Sequence, residues 1–211
     1  MLKSLSYSIA IAILQVLFFS EPLRGQGSVE NSWKLVKQEG NTKVYTRSRE
    51  DIKIKEVRIT TNMKTSMNKF LKVLNDVPGY ANWVFKCQNA KRILTVSEHE
   101  FYYYTSSNLP FPLSDRDMVI HSRQWTDPLT QTVYAESVAD PHYLPEKEDY
   151  VRVPYLKSAW VIQPLKDGTL KINYSISTDP GGSLPSWLVN MAITQGPVKT
   201  MELLAELVEK D

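Results

Sequence analysis

The sequence predicts an α+β fold in which a long C-terminal helix lies across the concave face of a twisted antiparallel β-sheet. Three observations carry that expectation. From Gln88 to Thr178 one strand-like segment follows another, with only short turns between them, and short connections make neighbouring strands antiparallel. Within those segments the parity separates apolar from polar residues, so the sheet has one face to bury. Few segments are left to cover that face. One opens at Ser66, and a longer one opens at Pro185.

The elements follow in order. Trp33–Val36 and Lys43–Arg47 read as short strands around the turn pair Gly40-Asn41, and Ile52–Thr61 alternates as a third. After Ser66, residues Met67, Phe70, Leu71 and Leu74 recur at three-and-four spacing, which predicts an amphipathic helix ended by Pro78-Gly79. The strand-like segments are then 88–96, 98–107, 115–126, 131–139, 150–163 and 169–178, separated by turn-forming residues such as Asp127-Pro128, Asp140-Pro141 and Asp167-Gly168. Leu156, Trp160 and Ile162 share one face of their strand, as do Ile172, Tyr174 and Ile176, while Lys157, Lys171, Asn173 and Ser175 take the other.

The C-terminal helix is announced by its entrance. Gly181-Gly182 permits a sharp reversal, Ser183 suits a cap, and Pro185 fits a first turn whose N–H groups are unpaired in any case. Leu184, Trp187, Leu188, Met191, Val198, Met201, Ala205 and Val208 form a stripe at helical spacing. Thr194-Gln195 breaks it with polar groups, and Gly196-Pro197 predicts a kink.

Composition bounds the function. With 25 basic and 23 acidic residues and no basic block, nucleic acid is not an expected partner. Lys3 followed by the apolar run Ile9–Phe19 and by Gly25-Gln26-Gly27 has the form of a cleavable leader. The run is too short for a bilayer crossing, which takes about twenty residues. The expected division is a signal peptide over 1–27 and one domain over 28–211, exported to the periplasm or the medium. Cys87 is the one cysteine, so no internal disulfide is available and the fold rests on its core.

The segments "LPFPLSDRDMV" (109–119) and "TDPGGSLPSWLVN" (178–190) resemble, in order and separation, the two signature motifs of the StAR-related lipid-transfer (START) domain family. Trp33, Leu35, Gly40, Val44, Tyr45 and Arg47 match the family's opening strands as well. The resemblance implies a helix-grip fold, with a tunnel for one hydrophobic ligand between the sheet and the C-terminal helix. Family members usually carry an N-terminal helix on the sheet, and little chain is left here for one between the leader and Trp33.

Candidate tunnel-lining residues are Trp83, Tyr102, Tyr104, Arg116, Met118, Tyr134, Trp160, Tyr174, Trp187, Leu188, Met191 and Gln195. Eleven tyrosines and five tryptophans against six phenylalanines suit a tunnel lined by bulky groups with scattered hydrogen-bonding atoms. Arg116 shares the interior parity with Met118 and Ile120, and a buried guanidinium needs partners. Glu98 or Glu100, brought back on the neighbouring strand by the turn at Pro110–Pro112, is the expected carboxylate.

No catalytic signature is present: the three histidines lie on separate segments, and there is no nucleophile elbow, phosphate loop or dinucleotide fingerprint. The expectation is a monomeric, non-enzymatic domain without cofactor or metal. Its partners would be a lipid or other hydrophobic small molecule and, transiently, a membrane surface. The alternative is a polyketide cyclase- or hydrolase-like enzyme using the same cavity.

Overall fold

A computed structural model describes residues 32–49, 54–185, 188–189 and 194–210. The expected leader and any N-terminal helix fall outside these residues. Ten strands form one curved sheet. They are β1 (Lys34–Glu39), β2 (Thr42–Arg49), β3 (Ile54–Met63), β4 (Cys87–Ser97), β5 (Glu100–Ser107), β6 (Asp115–Thr126), β7 (Val133–Ala139), β8 (Tyr150–Arg152), β9 (Tyr155–Pro164) and β10 (Leu170–Asp179). The order across the sheet is β1-β2-β3-β10-β9-β7-β6-β5-β4.

Two features depart from the expected meander. The segment predicted as one strand from Tyr150 is cut at Val153-Pro154, because proline has no N–H for a ladder. Its first part, β8, pairs in parallel with the start of β6, Asp115 against Tyr150 and Asp117 against Arg152. All other pairs are antiparallel.

Between β3 and β4 the chain crosses the sheet as helix α1 (Met67–Asn75) and a 3-10 segment (Val77–Asn82). Ser66 caps α1, its Oγ accepting from Lys69 N–H at 3.2 Å, and Phe70 and Leu74 are its buried residues. Helix α2 (Gly196–Glu209) buries Val198, Met201, Leu204 and Val208. Pro197 stands in its first turn, directly after a π-helical step at Thr194-Gln195, so the regular α-helical ladder changes at the Gly196-Pro197 pair. A helical turn starts at Pro185, whose carbonyl accepts from the N–H groups of Leu188 and Val189 at 3.0 and 3.2 Å. The far end of α2 is tied to α1: Glu209 accepts from Lys64 N–H at 2.8 Å, and Lys69 Nζ meets the Lys210 carbonyl.

Candidate functional site

The concave face and its covering elements enclose a cavity of about 270 Å³. Strand register decides what lines it. Phe101, Tyr103 and Thr105 of β5, Arg116, Met118, Ile120 and Ser122 of β6, Ala135 and Ser137 of β7, Leu156, Ser158 and Trp160 of β9, and Tyr174 and Ile176 of β10 all point in. Leu74, Tyr80 and Trp83 close one side, Leu184 and Leu188 another, and Gly196, Pro197 and Thr200 of α2 a third. The exposed lining residues Lys86, Asn108 and Pro110 gather at the end where β5 stops and β6 begins, so the mouth lies there. Phe85 N–H donates to Thr200 Oγ at 3.0 Å, holding the covering segment to the first turns of α2.

Six of the sequence candidates line this cavity, namely Trp83, Arg116, Met118, Trp160, Tyr174 and Leu188, whereas Tyr104 is buried but faces the other way. Tyr102 also points outward, stacked between His121 at 4.3 Å and Tyr143 at 4.4 Å. Both errors have one cause. The run Phe101-Tyr-Tyr-Tyr104 is aromatic on both faces, and a one-residue shift exchanges them; the inward pair is Phe101 and Tyr103. Tyr134 stacks on Trp125 on the outer face at 5.5 Å, and Gln195 is exposed at the start of α2. Trp187 and Met191 lie outside the described residues.

Arg116 is buried, at 5% exposure, but its expected ion pair is not formed. In the β5–β6 ladder Ser107 stands opposite Arg116, and Glu100 stands opposite Arg123. Glu100 instead meets His121 Nε2 at 2.7 Å on the outer face, and Glu98 is exposed in the β4–β5 turn. The guanidinium donates to backbone carbonyls: Nε to Pro180 at 3.0 Å, Nη2 to Gly181 at 3.1 Å, and Nη1 to Ser114. Burial lowers its pKa below the usual arginine value, and the nearby charge of Asp115 offsets part of that.

The carboxylate of the motif that sequence reasoning passed over is Asp117. It is fully buried on the opposite face and accepts from Arg152 through both oxygens, at 2.7 and 3.0 Å. Arg152 also donates to the carbonyls of Pro141, Leu144 and Pro145. Consecutive residues of β6 therefore hold two loops, one on each side of the sheet. Arg152 carried no sequence signal beyond its place in the strand-like run that opens at Tyr150.

The cavity's polar interior is built from uncharged groups. Ser137 Oγ donates to Ser122 Oγ at 3.1 Å. Burial pushes the Tyr103 phenol well above its ordinary pKa, with a hydrogen bond to Ser137 drawing it partway back, and burial does the same to Tyr174 with the Tyr103 charge adding to it. Both phenols stay protonated across the physiological range. Among the described residues no group of histidine, cysteine and acidic side chains is placed to hold a metal ion.

This architecture recurs in known proteins. The START domain family model matches residues 20–208. The uncharacterized protein PA1579 of Pseudomonas aeruginosa is 34% identical over 185 residues, covering 87% of this chain and 90% of that one. The phosphatidylcholine transfer protein of Bos taurus is 35% identical over 101 residues, about half of each chain (46% and 47%). The crystal structure of the STAR-related lipid transfer protein (fragment 25–204) from Xanthomonas axonopodis superposes with a TM-score of 0.77 at 29% identity, covering 84% of this chain and 99% of that one. A family match over nearly the whole described chain, joined to a sheet that grips a C-terminal helix around a cavity, establishes that the chain belongs to the START domain family.

Proposed function

We propose that the protein binds one hydrophobic ligand in this cavity and sequesters or transfers it, without chemical change. The observation that carries this reading is the make-up of the wall. Phe101, Ile120, Leu156, Trp160, Ile176 and Leu188 supply an apolar surface, and no aspartate, glutamate or histidine stands among the described lining residues. A cyclase or hydrolase that relies on a carboxylate or imidazole for proton transfer would want such a group within reach of its substrate. Each methylene moved from water to a dry wall gains ~0.8 kcal/mol, so a single acyl chain would be held firmly.

The cavity is just below the roughly 300–1,000 Å³ usual for small-molecule sites. A one-chain amphiphile or a compact ring system suits that scale, and a two-chain lipid requires the cover to move outward. Phe111, 97% exposed in the loop beside the mouth, is suited to touch a membrane surface during exchange. Lys3 and the apolar run Ile9–Phe19 support export of the mature chain.

The test is native mass spectrometry of protein purified from its own host, followed by organic extraction. A lipid-sized adduct released by solvent is expected. A chain that stays ligand-free after exposure to total lipid extract, yet turns over a small substrate, would overturn the reading. In the same spectra, an intact mass spanning Met1 to Asp211 in the exported fraction would exclude leader cleavage.

A further inference from the structure

We infer that the middle of the cavity holds a polar subsite for an uncharged, oxygen-bearing ligand head, with the indole N–H of Trp83 as its principal donor. This rests on the ligand-carrier reading above and assigns the chemical class of the ligand.

Three facts meet here. Trp83 is 3% exposed and lines the cavity, yet its Nε1 has no hydrogen-bond partner. A buried N–H left unmade is costly, and native structures rarely tolerate one without a reason. Second, the sheet places Ser122 of β6 opposite Ser137 of β7, and Ser137 opposite Ser158 of β9. All three serines are buried and line the cavity, so a row of hydroxyls crosses three strands where apolar side chains would fill the wall more simply. Trp83 packs edge-on against Tyr80 at 5.1 Å, Tyr80 against Tyr103 at 5.5 Å, and Tyr103 adjoins Ser137. A chain of packed rings thus links the donor to the serine row.

The third fact is charge. The ionised side chains among the described lining residues are Lys86 and Arg116, and both stand at the mouth. Arg116 lies about 20 Å from Ser122 along β6 at ~3.3 Å per residue, and three of its N–H groups are already engaged by carbonyls. A phosphate, carboxylate or quaternary ammonium at the serine row would be buried without a counter-charge, which is strongly unfavourable. A hydroxyl, ketone or ester oxygen would accept from Trp83 and exchange hydrogen bonds with the serines at no such cost. The ligand therefore enters head first, with its neutral oxygen at the serine row and its apolar body towards the mouth.

The experiment uses four probes that share one C12 chain: 1-dodecanol, dodecane, dodecanoate and dodecylphosphocholine, each displacing Nile red from the full-length protein. Dodecanol is expected to bind at least tenfold more tightly than dodecanoate and dodecylphosphocholine. Trp83→Phe should weaken dodecanol by about tenfold, the worth of one buried hydrogen bond, and leave dodecane unchanged. Ser137→Ala read against the same alcohol–alkane pair provides a second variant should Trp83→Phe not fold. Tighter binding of either charged probe, or an equal loss of alcohol and alkane in the variants, would overturn the inference while leaving the carrier reading intact. The second result would mean that water alone satisfies Trp83. Displacement by none of the four would overturn the carrier reading itself.

Discussion

The guanidinium of Arg116 donates from Nη2 to the carbonyl of Gly181 at 3.1 Å and from Nε to the carbonyl of Pro180 at 3.0 Å. A side chain on β6 thereby fixes where β10 ends and the chain turns towards the C-terminal helix. The two signature motifs, far apart in sequence, form one joint.

That joint sets a stability expectation. Arg116→Met leaves the carbonyls of Ser114, Pro180 and Gly181 without their donor, and should cost about 2–4 kcal/mol in urea denaturation. Because neither Glu98 nor Glu100 pairs with Arg116, adding Glu100→Gln should be additive to within ~0.5 kcal/mol and rescue nothing. Recovery of stability in the double variant would restore the ion pair as the correct description.

The glycines of the joint should differ in tolerance. Both adopt left-handed φ, +68° for Gly181 and +64° for Gly182, so alanine at either strains the backbone by roughly 1–2 kcal/mol. A Cβ on Gly181 would also stand 3.1 Å from Pro154 Cδ and 3.2 Å from the Arg152 carbonyl, whereas one on Gly182 meets Arg116 Nη2 at 3.4 Å, an ordinary contact. Gly181→Ala should therefore lower the melting temperature more than Gly182→Ala. Equal losses would mean that the backbone angle alone matters.

The buried phenols predict an alkaline limit. Burial raises Tyr104 to about 12, with the charge of Asp117 adding to the effect, and raises Tyr80, Tyr103 and Tyr174 as well. The folded state favours the neutral phenol, so the stabilisation is complete below the unfolded value near 10 and is lost as pH climbs through the folded values. Urea midpoints should be insensitive to these groups up to about pH 10 and fall above it, each phenol steepening the slope by at most ~1.4 kcal/mol per pH unit. Tyr103→Phe should make that fall shallower. An unchanged slope would show that this phenol ionises alike in both states.

How far the sequence disclosed this site depended on how cleanly each strand alternates. In β9 and β10 the apolar residues keep one parity, and Leu156, Trp160, Tyr174 and Ile176 line the cavity as that parity requires. The parity of β6 likewise put Arg116, Met118 and Ile120 inside. It failed on β5, where tyrosines occupy both faces and the pattern carries no preference. The partners of Arg116 were illegible for a different reason: backbone carbonyls have no residue type, so a search for acids found two that face elsewhere. The serine row was overlooked because serine reads as a wet-face residue. Its signal was present, since Ser158 shares the parity of Leu156 and Trp160, and only the register of β7 sets Ser137 between Ser158 and Ser122.

The covering helix should govern ligand entry. A ligand passing between strands would have to break ladder bonds, whereas a covering element can part from the sheet without breaking any. The C-terminal end of α2 is fastened to the start of α1 through Glu209 and Lys210. Its N-terminal end meets the covering segment through the Phe85–Thr200 hydrogen bond of 3.0 Å. The 140–145 loop is clamped by Arg152, so the N-terminal part of α2, and not that loop, is the element expected to swing. Converting Phe85 and Thr200 to cysteine, with Cys87→Ser to prevent mispairing, would replace this hydrogen bond by a covalent tie. Oxidation should then slow exchange of a fluorescent lipid between vesicles by more than about tenfold, as expected when a lid step is blocked, while circular dichroism stays that of the reduced form. Reduction should restore the rate. Equal rates in the oxidised and reduced forms would mean that the ligand enters by another route and that the opening of α2 is not the gate.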